Sequence, residues 1–170
     1  MPKGLKETSS LIGIGFEVLE TAANTFIQER VDLQLNPLDN EVFIVYAIDL
    51  DPTAPDVTAG TNTATSASLT TTSRTAVANL GDSACMANIV LNIRMDAGSV
   101  EGVPFTRGSH ESPATQLDYL GIISTNDFFV QLQGTGNGNP KGVSGRVYGV
   151  RARADASVYA ALVQSEVLTQ

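Results

Sequence analysis

The chain is poor in the residues on which most protein chemistry depends. It has one histidine, one cysteine and no tryptophan, which removes most metal-ligand sets and leaves no second imidazole for acid–base work. A lone Cys85 cannot close an intrachain disulfide, and no Asn-x-Ser/Thr sequon occurs. Charge is scarce too: 16% of residues are Asp, Glu, Lys or Arg, against about 25% in typical soluble domains. Ten basic residues face eighteen acidic ones, for a net charge of -8, the wrong sign for a surface that grips phosphates, so strong nucleic-acid binding is not expected. No apolar run reaches the roughly 18 residues that span a bilayer, so no transmembrane segment is expected. The first apolar cluster, Leu11 to Phe16, is broken by glycine and followed by Glu17 and Glu20 instead of a small-residue cleavage site; synthesis in the cytoplasm without a signal peptide is the expectation.

What is present is threonine, serine, asparagine and glycine in quantity, with 42% apolar residues in a chain of 170. That length suits one core. An uncharged polar surface desolvates more cheaply than one rich in lysine and glutamate, because a buried hydroxyl that finds a partner costs far less than a buried unpaired charge. It is suited to extensive protein contact.

The pattern along the chain is that of strands. Residues 1–10, with Lys3 and Lys6, are small and polar and read as a flexible N-terminal arm. Ile27, Val31, Leu33 and Leu35 alternate with polar residues, a half-buried strand. Val42 to Leu50 is a continuous β-branched and aromatic run, a strand covered on both faces. Thr61 to Thr75, in which seven of fifteen residues are threonine and three serine, reads as a polar strand or ordered edge. Met86 to Asp96 alternates again. Gly98 to Pro113, holding His110, reads as a long connection. Leu117 to Ile123 and Phe128 to Gln133 read as strands, and Gly134 to Gly142 as a hairpin loop into a strand over Val143 to Ala154, together a meander. The tail from Asp155 fits a helix capped by Asp155 or a strand, with strand the slightly better fit. Seven or eight strands with frequent turns and no βαβ alternation define an all-β, two-sheet β-sandwich over residues 11–170.

The candidate chemical sites read as ordinary structure. Asp49, Asp51 and Asp56 cluster near the end of the core strand without the spacing of a calcium loop, and read as solvated acids. His110-Glu111 lacks a nucleophile elbow. Cys85 has no basic sequence neighbour to lower its pKa and reads as a buried, inert thiol. Gly134 to Lys141 superficially resembles a phosphate loop, but Pro140 precedes Lys141 and a strand follows. Lys141, Arg146, Arg151 and Arg153 place four of the ten basic residues within thirteen positions. Arg151 and Arg153 share a strand face, suited to pairing with acids of the same chain or of a neighbouring subunit. No cofactor, metal or catalytic residue is assigned, and an enzyme is the least supported class.

A β-sandwich with an N-terminal arm, a hydroxyl-rich surface, long loops and no reaction chemistry resembles the single jelly-roll capsid proteins of small viruses. The resemblance is one of architecture and composition and rests on no motif. It implies about eight strands in two sheets, with arms and loops joining copies into a virion shell, a homo-oligomer that meets other virion proteins as well. Lys3, Lys6, Phe16, Phe105, Tyr119, Arg151, Arg153 and Tyr159 are the contact residues this reading selects. The arm and Thr61 to Thr75 are then the segments expected to order only on assembly. One departure stands out: many such proteins carry a strongly basic arm for the genome, whereas here only Lys3 and Lys6 are present, so the genome is neutralised otherwise or an internal layer of lipid or protein intervenes. A surface-layer protein forming filaments or tubes, and a ligand-binding sandwich module, are the alternatives; the second lacks the aromatic platform a carbohydrate site uses.

Overall fold

The computed structural model describes residues 3–96, 98, 100–108 and 117–169. Ten strands and one helix occur among them: β1 (Leu5–Glu7), β2 (Ile12–Leu19), β3 (Ile27–Asp32), β4 (Glu41–Pro52), β5 (Thr63–Thr70), β6 (Cys85–Met95), β7 (Gly102–Gly108), β8 (Gly121–Ile123), β9 (Asp127–Thr135), β10 (Gly142–Ala154) and α1 (Ala156–Val167). In the first sheet β1 and β2 lie end to end along one side of β10, followed by β4 and β8; the second has the order β3-β9-β5-β6-β7. Every pairing is antiparallel.

The topology follows one rule. Strand β2 pairs with β10, β3 with β9, β4 with β8 and β5 with β6, so the chain is a nested series of pairs, one long hairpin with its tip between β5 and β6. Rolling that hairpin brings β10 against β4 and β9 against β5 and divides the pairs between two sheets. This is a jelly roll of eight strands, with β1 added beside β10 and β7 added beyond β6. The sandwich expected from the sequence is therefore present, with two or three more strands than its turn signals suggest.

Inward-facing residues of both sheets build the core. Val18, Phe43, Val45, Val143 and Val147 of the first sheet meet Ala67, Leu69, Phe128, Val130 and Leu132 of the second, all essentially inaccessible to water. Burying one such large aliphatic or aromatic side chain contributes about 1.5–3 kcal/mol. Phe16 reaches the same core and meets Phe128 edge to face, ring centroids 5.9 Å apart. A second cluster forms on the other face of the first sheet, where Val42, Ile44, Val150, Ala152 and Ala154 are covered by Val158, Tyr159 and Leu162 of α1 together with Leu5 and Tyr119.

Several expectations are corrected. The tail from Asp155 is a helix, not a strand: both sides of β10 are already taken by β1, β2 and β4, and the apolar outer face of the first sheet is buried by laying a helix on it. The arm docks on its own chain at Leu5–Glu7, which pair with Ala154–Ala152. Thr63–Thr70 is an interior strand bonded on both sides, not an edge awaiting a partner. The Gly134–Gly142 connection is a crossover between sheets, not a hairpin, since β9 and β10 lie in different sheets, and the meander is replaced by the roll. Gly98–Pro113 contains β7. His110 and Glu111 lie outside the described residues.

Candidate assembly surfaces

The residues selected as contact candidates separate into inward and outward groups. Phe16 belongs to the main core, and Tyr119 and Tyr159 to the second cluster. Arg151 is engaged within the chain: its guanidinium donates to the carbonyls of Leu33 at 2.9 Å and Gln34 at 3.0 Å and lies 3.3 Å from a Glu41 carboxylate oxygen. Arg153 pairs with Asp39 at 2.7 Å. Lys6 stands opposite Arg153 in the β1–β10 pair, and Lys3 and Lys6 are exposed. Of the aromatic candidates only Phe105 faces solvent, at 53%.

The glycine-rich crossover does cradle an anion, and it is the protein's own. Asp56 accepts from the backbone N–H groups of Gly138 and Asn139, each at 3.0 Å, and from Lys141 Nζ at 2.6 Å. Successive N–H groups in such a turn form a concave nest for negative charge. The Lys141 hydrogen bond, reinforced by the Asn139 N–H, holds the Asp56 carboxyl down to about 2 against the opposing effect of burial. Gly136, with φ +68°, must be glycine because a Cβ would stand 2.7 Å from the Asn62 carbonyl. Buried Glu20 accepts the N–H groups of Gly134 and Lys141 at 2.6 and 2.8 Å. Asp49 and Asp51 lie elsewhere, exposed on β4 opposite Arg146 and Ser144 of β10, so the three acids do not converge. Among the described residues no group of three or more His, Cys, Asp or Glu is placed to hold a metal ion, and no helix is long and apolar enough to cross a membrane.

The outer face of the second sheet carries a polar row that sequence reasoning missed. Gln28, Gln131, Ser68 and Asn88 stand side by side across β3, β9, β5 and β6. Ser68 donates to Gln131 Oε1 at 2.7 Å, and Gln131 Nε2 donates to Gln28 and Thr70 at 2.9 and 2.7 Å. Ser68 and Gln131 are buried, and the connection over residues 71–84 folds back across the row: Ala78 N–H donates to Ser68 Oγ, Asn88 to the Ala78 carbonyl, and Arg74 N–H to Gln28. Arg74 also pairs with Asp82 at 2.6 Å, and that hydrogen-bonded guanidinium holds Asp82 down to about 2. The alternating hydroxyls of Thr61 to Thr75 are visible in the sequence; that a loop covers Ser68 is not.

Where this connection ends, Cys85 is half-buried, and burial, with the Asp82 charge adding to it, pushes its thiol up to about 11. A raised thiol pKa keeps the thiolate, the reactive form, scarce at neutral pH.

Strand β7 is the open part of the molecule. It extends the second sheet past β6, and every residue from Gly102 to Arg107 is exposed. The register places Val103 opposite Arg94, Phe105 opposite Asn92, and Arg107 opposite Val90, six side chains in two columns on the outer face. Around Phe105, Arg94 and Arg107 lies a hollow of about 320 Å³. Arg107 also borders a cleft of about 420 Å³ that runs between Val90 and the exposed Leu80. Val103–Phe105–Arg107 alternates in the sequence, a strand signal hidden among glycines and prolines. The fold thus defines the class, an eight-stranded jelly roll with a bare additional strand. Comparison with known protein families, curated proteins and solved structures returns no match to this chain.

Proposed function

We infer that this protein is a structural subunit that acts by associating with copies of itself, as the shell-forming subunit of a virion, and not by catalysis. The observation that carries the reading is β7: a strand whose outer edge no described strand pairs and which presents Val103 at 56% and Phe105 at 53% exposure is a surface that binding would bury. Two features support it. The jelly roll packs its loops and edges around a rigid sandwich, so many modest contacts repeated by symmetry give one durable assembly. Five of the ten basic side chains, Arg30, Arg74, Lys141, Arg151 and Arg153, are engaged in ion pairs within the chain and the net charge is -8, which leaves little positive charge for a genome and fits contact with protein better than with nucleic acid.

Size-exclusion chromatography with light scattering, backed by negative-stain imaging, tests this. Particles many times heavier than the 17.9 kDa chain are expected. A monomer across a range of salt and pH overturns the reading. Imaging also separates a closed shell from the open tubes or filaments of a surface-layer protein.

A further inference from the structure

We propose that the Phe105 array on β6 and β7 docks onto the open half of the first sheet's outer face in a second copy of this chain; the inference rests on the self-assembly reading and identifies the contact. Phe105 and Val103 are flanked by Arg94 and Arg107, and neither arginine forms an ion pair among the described residues. The matching surface lies on β2, β10 and β4. There α1 covers only the half of the sheet around Val42, Ile44 and Val150. On the remaining half, Glu17 and Asp51 flank Ser144, and Asp49 stands opposite Arg146. Glu17, Asp49 and Asp51 are exposed and also lack ion-pair partners among the described residues. Leu19, 59% exposed, is the apolar side chain beside them.

The two surfaces complement each other in charge and in chemistry: two guanidinium groups around an aromatic ring on one, and on the other three carboxylates beside a leucine, which outnumber the exposed Arg146 among them. The acidic face is also flat enough to be approached closely, because Gly13 and Gly15 on β2 carry no side chains and Arg146 lies down over Gly13, 3.3 Å from the place of its missing Cβ. Opposite potentials suppress wrong orientations and fix register, while the aromatic and aliphatic area supplies the attraction. The surfaces belong to different sheets and to opposite edges of the sandwich, β7 and β2. The contact is therefore heterologous: each copy offers one surface and leaves the other for the next, and the chain of contacts continues until rotation closes it.

A charge swap tests this. The pair Arg94→Glu with Arg107→Glu and, separately, Asp49→Lys with Asp51→Lys are each expected to eliminate the high-mass species in light scattering. Mixing the two variants restores it in alternating order, because the acidic altered array of one then meets the basic altered face of the other, while their two unaltered surfaces meet as in the parent. All four positions are exposed, so circular dichroism spectra matching the parent are expected. Should the parent protein assemble while both double variants assemble equally well, this contact is wrong and the self-assembly reading survives. Should the parent remain monomeric, that reading falls and the contact with it. Binding of a fluorescein-labelled oligothymidine that is lost in the Arg94→Glu, Arg107→Glu variant, with assembly unchanged, assigns the array to nucleic acid and also overturns the proposal.

Discussion

The Glu166 carboxylate, near the end of α1, accepts hydrogen bonds from both the backbone N–H and the hydroxyl of Ser124, in the turn between β8 and β9. It accepts two more from the N–H and hydroxyl of Thr125, at 3.1 and 2.8 Å. One buried side chain thus fastens the terminal helix to the sandwich it covers. Replacing Glu166 by alanine leaves Ser124 and Thr125 donors without an acceptor, each worth about 1–3 kcal/mol when buried. We expect a lower unfolding midpoint and faster hydrogen exchange across α1 and residues 121–126, with β5 and β9 unaffected. Unchanged exchange in α1 would show that apolar packing alone holds the helix.

Acid stability follows from Asp56 and Asp82. Both carboxyls lie well below their ordinary value of 3.8, at about 2, because Lys141 and Arg74 bond to their ionised forms. A depressed carboxyl pKa means that the unfolded chain takes up protons first. The stabilisation is complete above pH 4 and is lost as the pH falls through 2. Denaturant midpoints measured between pH 5 and pH 2 are expected to drop steeply. Asp56→Asn and Asp82→Asn should each flatten that drop while lowering stability at pH 5.

Thr65 lies in the core with a hydroxyl that has no hydrogen-bond partner among the described residues. Valine has nearly the same shape without the stranded polar group. Thr65→Val should raise stability by about 1 kcal/mol, toward the lower end of the 1–3 kcal/mol cost of an unsatisfied buried donor, read as a higher urea midpoint with an unchanged slope. A fall in the midpoint would mean that the hydroxyl has a partner, such as a water.

Gly149 and Gly15 make a contrasting pair. At Gly149, where the β10–β4 register shifts, a Cβ would meet the Ile44 carbonyl at 2.2 Å and the Phe43 ring at 2.5 Å. Gly149→Ala therefore forces backbone and core apart, an overpacking cost of about 1–3 kcal/mol. At Gly15 nothing approaches closer than 3.9 Å, so Gly15→Ala should leave the thermal midpoint unchanged or slightly higher. Equal effects at the two sites would refute the close approach of β10 to β4.

How much of this was legible varies by element. Val42 to Leu50 announces a strand covered on both faces; this holds over Val42 to Tyr46, with the core on one side and α1 on the other, whereas Ala47 and Asp49 face outward beyond the reach of α1 and are exposed. Ile12, Ile14, Phe16 and Val18 alternate with Gly13, Gly15, Glu17 and Leu19, the period of β2, but the glycines disguise it as a broken cluster. Strand β7 is disguised in the same way by Gly102, Pro104 and Gly108. Of the candidate contacts, only aromaticity points to Phe105 in the sequence, and it is exposed. Arg151 and Arg153 look alike in the sequence, but Arg151 is engaged with the carbonyls of Leu33 and Gln34, partners more than a hundred residues away that no local pattern reveals.

The sequence by itself determined the class, because period-two apolar alternation has only one use, to bury one face of a sheet, and because a chain with one histidine and one cysteine holds few reactive sets. The tertiary structure alone decided which strands pair, that the threonine-rich segment is interior, and that the tail is a helix. Those outcomes depend on which sheet edges and faces remain uncovered once the long hairpin has rolled up. That is a competition among distant segments, and it leaves no periodic trace in the chain.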